Sequence, residues 1–404
     1  MTSDPNTIDD NDIRPLDGIR VIELAQWVAG PSAAGTMADW GADVIKIEAP
    51  TGDPQRSMFA SVGIDKAIPN PSFAQDNRGK RSVVLDLRSD EGREQFERLL
   101  GTADVFVTNV RADALERLDL APTAINKRHP TLVIASLTGY GPVGPARDVP
   151  GYDIGAFVAR TGLARTNAPE SLPPVNLKSA IGDHMTGITT VSAIMAALFQ
   201  RERTGRGMVV ETSLFQTGIY GVSWDLSTQL TFGRLSRMKA RESYDQPLVN
   251  SYQAGDGRWF YLIGLEMMRH LPGVCHAVGR EDLLADERFA SAGAVRENRE
   301  AMIAIFDDVF ASQPLDHWAR QFDANDVWWA PCQTMAEVAE DPQAHALEAF
   351  IDTVDNSFDG ELPNGPIRTV ATPARFDGQV FQPRRPVPAL GEHTAEVLGE
   401  LDGA

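Results

Sequence analysis

Short apolar, β-branched runs alternate with helical segments through the first 140 residues, and nothing else in the chain constrains its fold as strongly. Gly18-Ile19-Arg20-Val21-Ile22-Glu23-Leu24 reads as a strand and residues 32–40 as a helix. Pro31 suits the first helical turn, where its missing N–H costs nothing. Gly41 stops that helix, and Asp43-Val44-Ile45-Lys46-Ile47 reads as the next strand. The pattern recurs as a strand at 82–87, a helix at 90–100, a strand at 104–107, a short helix at 111–118 and a strand at 132–137. Strands alternating with helices over short connections predict an α/β fold with a doubly wound parallel sheet. Nearly continuous apolar strands predict helices on both faces of that sheet.

Beyond residue 138 the pattern changes. A Gly/Pro-rich loop at 139–151 is followed by helical patterns at 152–163, 185–203 and 214–230, with a strand at 208–211. The helix at 185–203 carries Ile188, Val191, Ile194, Ala197 and Leu198 and reads as buried on most sides. Composition turns polar and basic near 232–246, which marks a domain boundary. Residues 231–330 then read as a smaller α+β domain, with strands at 248–253 and 259–263 joined by the hairpin-type turn Ala254-Gly255-Asp256-Gly257. Residues 1–14 are acidic and polar and read as a disordered tail.

With 404 residues the chain fits two domains. Its net charge of -19 repels nucleic acid and anionic membranes, so neither is expected as a partner. Cys275 and Cys332 are too few for a disulfide framework and read as buried thiols. The N-terminus lacks a signal-peptide pattern, and no apolar run approaches the ~20 residues a membrane helix needs. A cytoplasmic protein is expected.

Gly139-Tyr140-Gly141-Pro142-Val143-Gly144 matches the G-x-G-x-x-G spacing of dinucleotide sites. In those sites a helix starts within the motif and meets the pyrophosphate. Here Pro142 and Pro145 interrupt it, so the segment reads as a turn and no nucleotide redox cofactor is expected. The seven histidines show no ligand spacing, and no metal is expected.

The sharpest candidate for chemistry is Asp183, in Gly182-Asp183-His184-Met185-Thr186-Gly187 before the apolar helix. It reads as a helix N-cap, as a nucleophile, or as both. A helix N-terminus favours the ionised carboxylate, and a carboxylate can attack an activated acyl group such as a thioester. Arg78, Lys80, Arg81, Arg88, Arg111 and Arg117 lie near the predicted sheet. They are either a solvated face or a docking edge for a phosphorylated ligand at strand ends.

Together these residues resemble the family III CoA-transferases, the group that includes the formyl-CoA:oxalate and carnitine CoA-transferases. The resemblance runs from Leu16 to the C-terminus. Its blocks are Pro15-Leu16-Asp17-Gly18-Ile19-Arg20-Val21-Ile22-Glu23, Ala29-Gly30-Pro31, Trp40-Gly41-Ala42-Asp43-Val44-Ile45-Lys46-Ile47-Glu48, Asn77-Arg78-Gly79-Lys80-Arg81-Ser82, Leu85-Asp86-Leu87, Gly182-Asp183, Arg203-Thr204-Gly205-Arg206-Gly207 and Leu390-Gly391-Glu392-His393-Thr394. It implies coenzyme A as co-substrate, an acyl-CoA and a small carboxylic acid as partners, and Asp183 as the catalytic aspartate. It places Val28, Ala29 and Tyr152 beside the thioester and Arg88, Asn109 and Arg117 at the CoA phosphates and adenosine, with Lys80 and Arg81 as further candidate cations. It implies an interlaced homodimer whose large domain, 15–230, is completed by 331–404.

The related α-methylacyl-CoA racemases carry a histidine where this chain has Tyr152, and a tyrosine with pKa near 10 is a poor second base. CoA transfer is therefore preferred over racemisation. A non-catalytic acyl-CoA-binding protein is the third reading. Oxalate-handling relatives carry glutamine at Val28, arginine at Ala49 and a longer glycine run at 254–257. Their absence argues against a small dicarboxylate such as oxalate, and Val28 beside Trp27 makes a more apolar wall that suits a larger or more hydrophobic acyl group, with Arg56 or Arg81 as substitutes for the missing cation. Gly255 and Gly257 are expected to form a turn that closes over the site.

Overall fold

The structure, a computed structural model, describes residues 14–58, 68–178, 180–235, 237–358, 362 and 365–403. The acidic tail expected at 1–14 lies outside these residues except for Arg14. The chain divides into two compact units. One comprises 1–164, 176–233 and 345–404, and the other 165–175 and 234–344.

The first unit holds a six-stranded parallel sheet. Its strands are β1 (Arg20–Leu24), β2 (Asp43–Glu48), β3 (Arg81–Val84), β4 (Val105–Thr108), β5 (Val133–Thr138) and β6 (Val209–Ser213), in the order β3-β2-β1-β4-β5-β6. The order reverses between β1 and β4, which opens a crevice at the carboxyl ends of the central strands. Successive side chains on each strand face opposite ways. Val21, Val44, Val105, Val107 and Val133 pack under α1 (Ala29–Asp39) and a long helix at 181–204. Ile22, Ile45, Phe106 and Ile134 pack on the other face, with Phe96 and Leu99 of α3 (Asp90–Gly101). Each fully buried aliphatic or aromatic side chain stabilises by about 1.5–3 kcal/mol. Both faces are covered, which is why the strands read as unbroken apolar runs.

Between β2 and β3 lies α2 (Pro71–Asn77), capped by Asn70, whose side chain accepts from the Ser72 and Phe73 amides. The long helix is α4 (Ile181–Thr204). It is buried along one stripe, Thr186, Gly187, Thr190, Val191, Ile194, Ala197 and Leu198. Met185 and Phe199 are exposed, so the helix is buried along one stripe rather than on most sides as expected. The helix expected at 214–230 is two helices, α5 (Leu214–Gly221) and α6 (Ser223–Phe232). The C-terminal α7 (Thr394–Asp402) returns to β3, where Arg81 bonds Glu396 at 3.0 Å. Both chain ends thus build this unit. The Gly139–Gly144 segment is a loop with no helix, as its prolines predict. A Cβ on Gly139 would lie 2.7 Å from the Gly151 Cα, and that close approach sets the path into Tyr152.

In the second unit β7 (Ser251–Gln253), β8 (Trp259–Leu262) and β9 (Trp329–Pro331) form an antiparallel sheet over an aromatic core of Tyr252, Phe260, Phe306, Phe310 and Phe322. Cys275 is buried there, but Cys332 is exposed, which corrects the expectation for it. Cys332 follows β9, and its amide donates to the Trp259 carbonyl at 2.8 Å, so it ends the ladder at the surface.

Candidate active site

The segment between β1 and α1 is held from beneath by charges that solvent does not reach. Lys46 of β2 bonds Glu23 at 2.9 Å, Asp53 at 2.9 Å and the Ala25 carbonyl at 3.0 Å. Lys80 bonds Glu23 at 2.7 Å, the Asn77 side chain at 3.0 Å and the Pro31 carbonyl at 2.9 Å. All four charged side chains are fully buried. Removing one partner of such a network costs about 3–5 kcal/mol, because it strands a buried charge. Asn109, at the end of β4, accepts from the Gln26 amide at 2.9 Å and donates to the Gln26 carbonyl at 2.6 Å. Next to it Trp27 adopts a left-handed backbone, φ 64°, with its amide donating to Asp53 at 3.1 Å. Such a conformation in a non-glycine residue costs about 1–3 kcal/mol and persists only where its surroundings over-determine it.

Val28 is half-buried at the N-cap of α1, and Ala29 is buried in the first turn. No side chain caps this helix. It packs tightly on α4: a Cβ on Gly187 would lie 2.3 Å from Ser32 Oγ and 3.2 Å from the Ala29 carbonyl oxygen. Asp183 is one turn earlier on the same face of α4. It is not the N-cap. Ala180 holds that position with φ 51°, and Asp183 is the third helical residue. The glycine-flanked sequence suggested a cap, but the helix begins before Gly182.

Gly182 faces Asp153: a Cβ there would lie 2.2 Å from Asp153 Oδ1. Burial raises the Asp153 pKa above its ordinary value. Asp183 is raised further, to about 7, by burial first and then by the charges of Asp153 and Asp76, against the opposing charge of His184. Burial and the like charges of Asp153 and Asp76 thus act against the helix terminus, which favours the ionised carboxylate. His184 Nε2 lies 3.1 Å from Asp76 and Nδ1 3.1 Å from the Ala180 carbonyl. Two acceptors on one ring support the imidazolium, and the Asp76 bond raises its pKa. Tyr152, next to Asp153, is 64% exposed and meets Trp27 edge to face, with centroids 6.2 Å apart. Asp183, Tyr152, Val28 and Ala29 thus belong to one constellation, to which Trp27, Asp153, His184 and Asp76 must be added. Sequence reading placed Trp27 only as an apolar neighbour of Val28 and His184 only as the residue after Asp183, and it missed Asp153 and Asp76. The one available signal was their position beside residues already chosen.

A crevice of about 320 Å³ opens at the carboxyl ends of the central strands, lined by Leu24, Gln26, Ile47, Ala49, Leu87 and Arg88 among others. Arg88 is exposed at its rim and paired with Asp86 at 2.9 and 3.1 Å. Arg117 is exposed too, bonded to Asp113 at 3.0 Å, and lines a separate depression with Arg93, Glu97 and Arg128. Lys80 and Arg81 are buried, and Arg81 bonds Asp43 at 2.6 Å. Arg56, expected as a substitute cation at Ala49, holds Glu48 at 2.7 and 2.8 Å. Burial would raise Glu48, but the Arg56 bonds and Lys46 hold it at about 2. Gly255 and Gly257 lie in the second unit, in the β7–β8 turn, where the Gly255 amide donates to the Gln313 carbonyl at 2.8 Å. Among the described residues no group of three or more His, Cys, Asp or Glu could hold a metal ion. No helix among them is long and apolar enough to cross a membrane.

Comparison with known proteins gives a consistent result. The chain is 34% identical over 390 residues to the (R)-2-hydroxy-4-methylpentanoate CoA-transferase of Clostridioides difficile, covering 96% of this chain and 95% of that protein. It is 31% identical to the cinnamoyl-CoA:phenyllactate CoA-transferase of Clostridium sporogenes, covering 97% and 94%. A CAIB/BAIF family protein from Brucella suis superposes with a TM-score of 0.84 at 30% identity, over 96% of this chain and 100% of that one. Residues 16–394 match the family model for CoA-transferase family III, and the chain belongs to that family.

Proposed function

We propose that this enzyme moves CoA from an acyl-CoA thioester to an acceptor carboxylic acid, with Asp183 as the covalent nucleophile. The observation that carries the reading is Asp183 itself: a half-buried carboxylate with a pKa of about 7, one helical turn from the contact with Ala29. The Asp183 carboxylate attacks the donor carbonyl and expels CoA thiolate, leaving a mixed aspartyl–acyl anhydride. The thiolate attacks the Asp183 carbonyl, which releases the first acid and leaves an aspartyl-CoA thioester. The acceptor carboxylate attacks that thioester and expels thiolate again. The thiolate then takes the new acyl group and frees Asp183. Each step exchanges one acyl bond for another, so no external energy source is required. Partial burial and the expulsion of water protect the anhydride from hydrolysis.

In this reading the crevice at β1–β4 receives CoA, with Arg88 at its rim, and Arg117 offers a second exposed cation. Asn109 orients the segment that carries Val28 and Ala29. Lys80 and Arg81 support the strand ends. We also propose a homodimer. It is supported by Tyr220, Trp224, Leu230 and Phe232, which are 70–87% exposed on α5 and α6, a large apolar surface for a lone chain.

The test is to quench the enzyme during turnover, digest it and weigh its peptides. The peptide containing Asp183 should gain the mass of CoA or of the acyl group, and Asp183→Ala should abolish both the adduct and transfer. Uptake of solvent deuterium next to the thioester with no acceptor present, and no adduct, would establish racemisation instead.

A further inference from the structure

The acid exchanged at this site is open to inference from what surrounds Asp183, given the reading of Asp183 as nucleophile. Trp27 holds a left-handed backbone that most side chains avoid, and two separate contacts keep it there: the Asp53 carboxylate on its own amide and the Asn109 clamp on Gln26. The result is an indole left 36% exposed although a buried alternative would be more favourable for so large an apolar ring. Its edge-to-face partner, Tyr152, is more exposed still, and the π-helical turn Ile154–Ala159 begins directly after Asp153. Such turns recur at functional sites. Both rings belong to segments packed on the start of α4 around Asp183: Tyr152 precedes Asp153, which faces Gly182, and Trp27 precedes Val28 and Ala29, whose carbonyl faces Gly187.

The charges around the nucleophile point the same way. Asp183 already feels the negative charges of Asp153 and Asp76, offset by His184. The cations on the supporting elements are committed: Lys46 and Lys80 to Glu23, Arg56 to Glu48 and Arg78 to Asp39 at 2.7 Å. A second carboxylate on the acid would be repelled by the acidic cluster. An apolar substituent would instead find ring faces at the mouth.

We propose that Trp27 and Tyr152 form the wall that receives the acyl substituent, so that the enzyme selects monocarboxylic acids bearing an aryl or branched alkyl group and rejects dicarboxylates. Identity exchange measures this without knowledge of the natural pair. Each deuterated acid is incubated with its own unlabelled CoA ester, and label entering the ester is read by mass spectrometry. The acids are 3-phenylpropanoate, 4-methylpentanoate, acetate and glutarate. For the full-length enzyme, kcat/KM for the first two should exceed that for acetate and for glutarate by at least 100-fold. Trp27→Ala should lower the ratio of 3-phenylpropanoate to acetate at least tenfold. Trp27→Phe and Tyr152→Phe, which keep a ring, should preserve most of it. A preference for glutarate or acetate, exchange of none of the four acids, or a ratio untouched in Trp27→Ala would overturn the proposal. Exchange that persists in Asp183→Ala would overturn instead the reading of the nucleophile on which it rests.

Discussion

Asp183 sits half-buried, with Asp153 close enough to repel it, and its pKa of about 7 stands above the ordinary 3.8 of an aspartate. The linkage has a definite sign. Below pH 3.8 the group is protonated whether the chain is folded or not, and it carries no penalty. As pH rises towards 7 the unfolded chain ionises first, so folding loses stability across that window and the loss persists above it. Asp183→Asn removes the charge and keeps the shape. Its unfolding free energy from denaturant titration should match the wild type near pH 3 and exceed it above pH 7, by about 1–3 kcal/mol after allowance for solvent screening. Transfer should vanish. In the wild-type enzyme kcat/KM should rise about tenfold per pH unit below pH 7 and level off above it, because only the carboxylate attacks. A variant less stable than wild type at pH 8 would show that Asp183 is a structural residue.

At the scale of elements, placement of Asp183 depends on the contact between α1 and α4. Gly187 leaves no room for a side chain against Ser32 and Ala29. In Gly187→Ala the overpacking, about 1–3 kcal/mol, outweighs the ~1 kcal/mol that alanine gains over glycine in a helix. Denaturant titration should show a net loss, and kcat/KM should fall because the start of α4 moves. Adding Ser32→Ala removes the nearest obstructing atom and should restore most of both. If Gly187→Ala alone is more stable and fully active, the contact does not position the site. The strands were legible in the sequence because a sheet covered on both faces demands apolar residues at every position. The start of α4 was not, because Ala180 turns the chain with a left-handed backbone usually left to glycine. Neither were the fates of Arg78, Lys80 and Arg81. Adjacent in sequence, they resembled one basic patch, yet the fold sends them to Asp39, Glu23 and Asp43 respectively. Ion pairs between elements distant in sequence leave no local pattern to read.

For the whole molecule, the exposed apolar side chains of α5 and α6 and the acidic surface make opposing demands. α6 buries none of its residues within the chain, and Trp224 is 87% exposed on it. Burying such rings against a second copy would contribute roughly 25 cal/mol per Å² of apolar area. Two chains of net charge -19 repel each other, however, and that repulsion is screened as salt rises. An interface driven by apolar burial against like charge should therefore tighten with added salt, whereas one built from ion pairs should loosen. Sedimentation at 20 mM and 300 mM NaCl distinguishes the two. The wild type should be dimeric, with a dissociation constant that falls as salt increases. Trp224→Asp should sediment as a monomer at both concentrations while keeping its circular dichroism spectrum, since Trp224 supports nothing buried within its own chain. A wild-type protein that is monomeric at micromolar concentration, or a Trp224→Asp variant that stays dimeric, would mean that α6 is not where the copies meet.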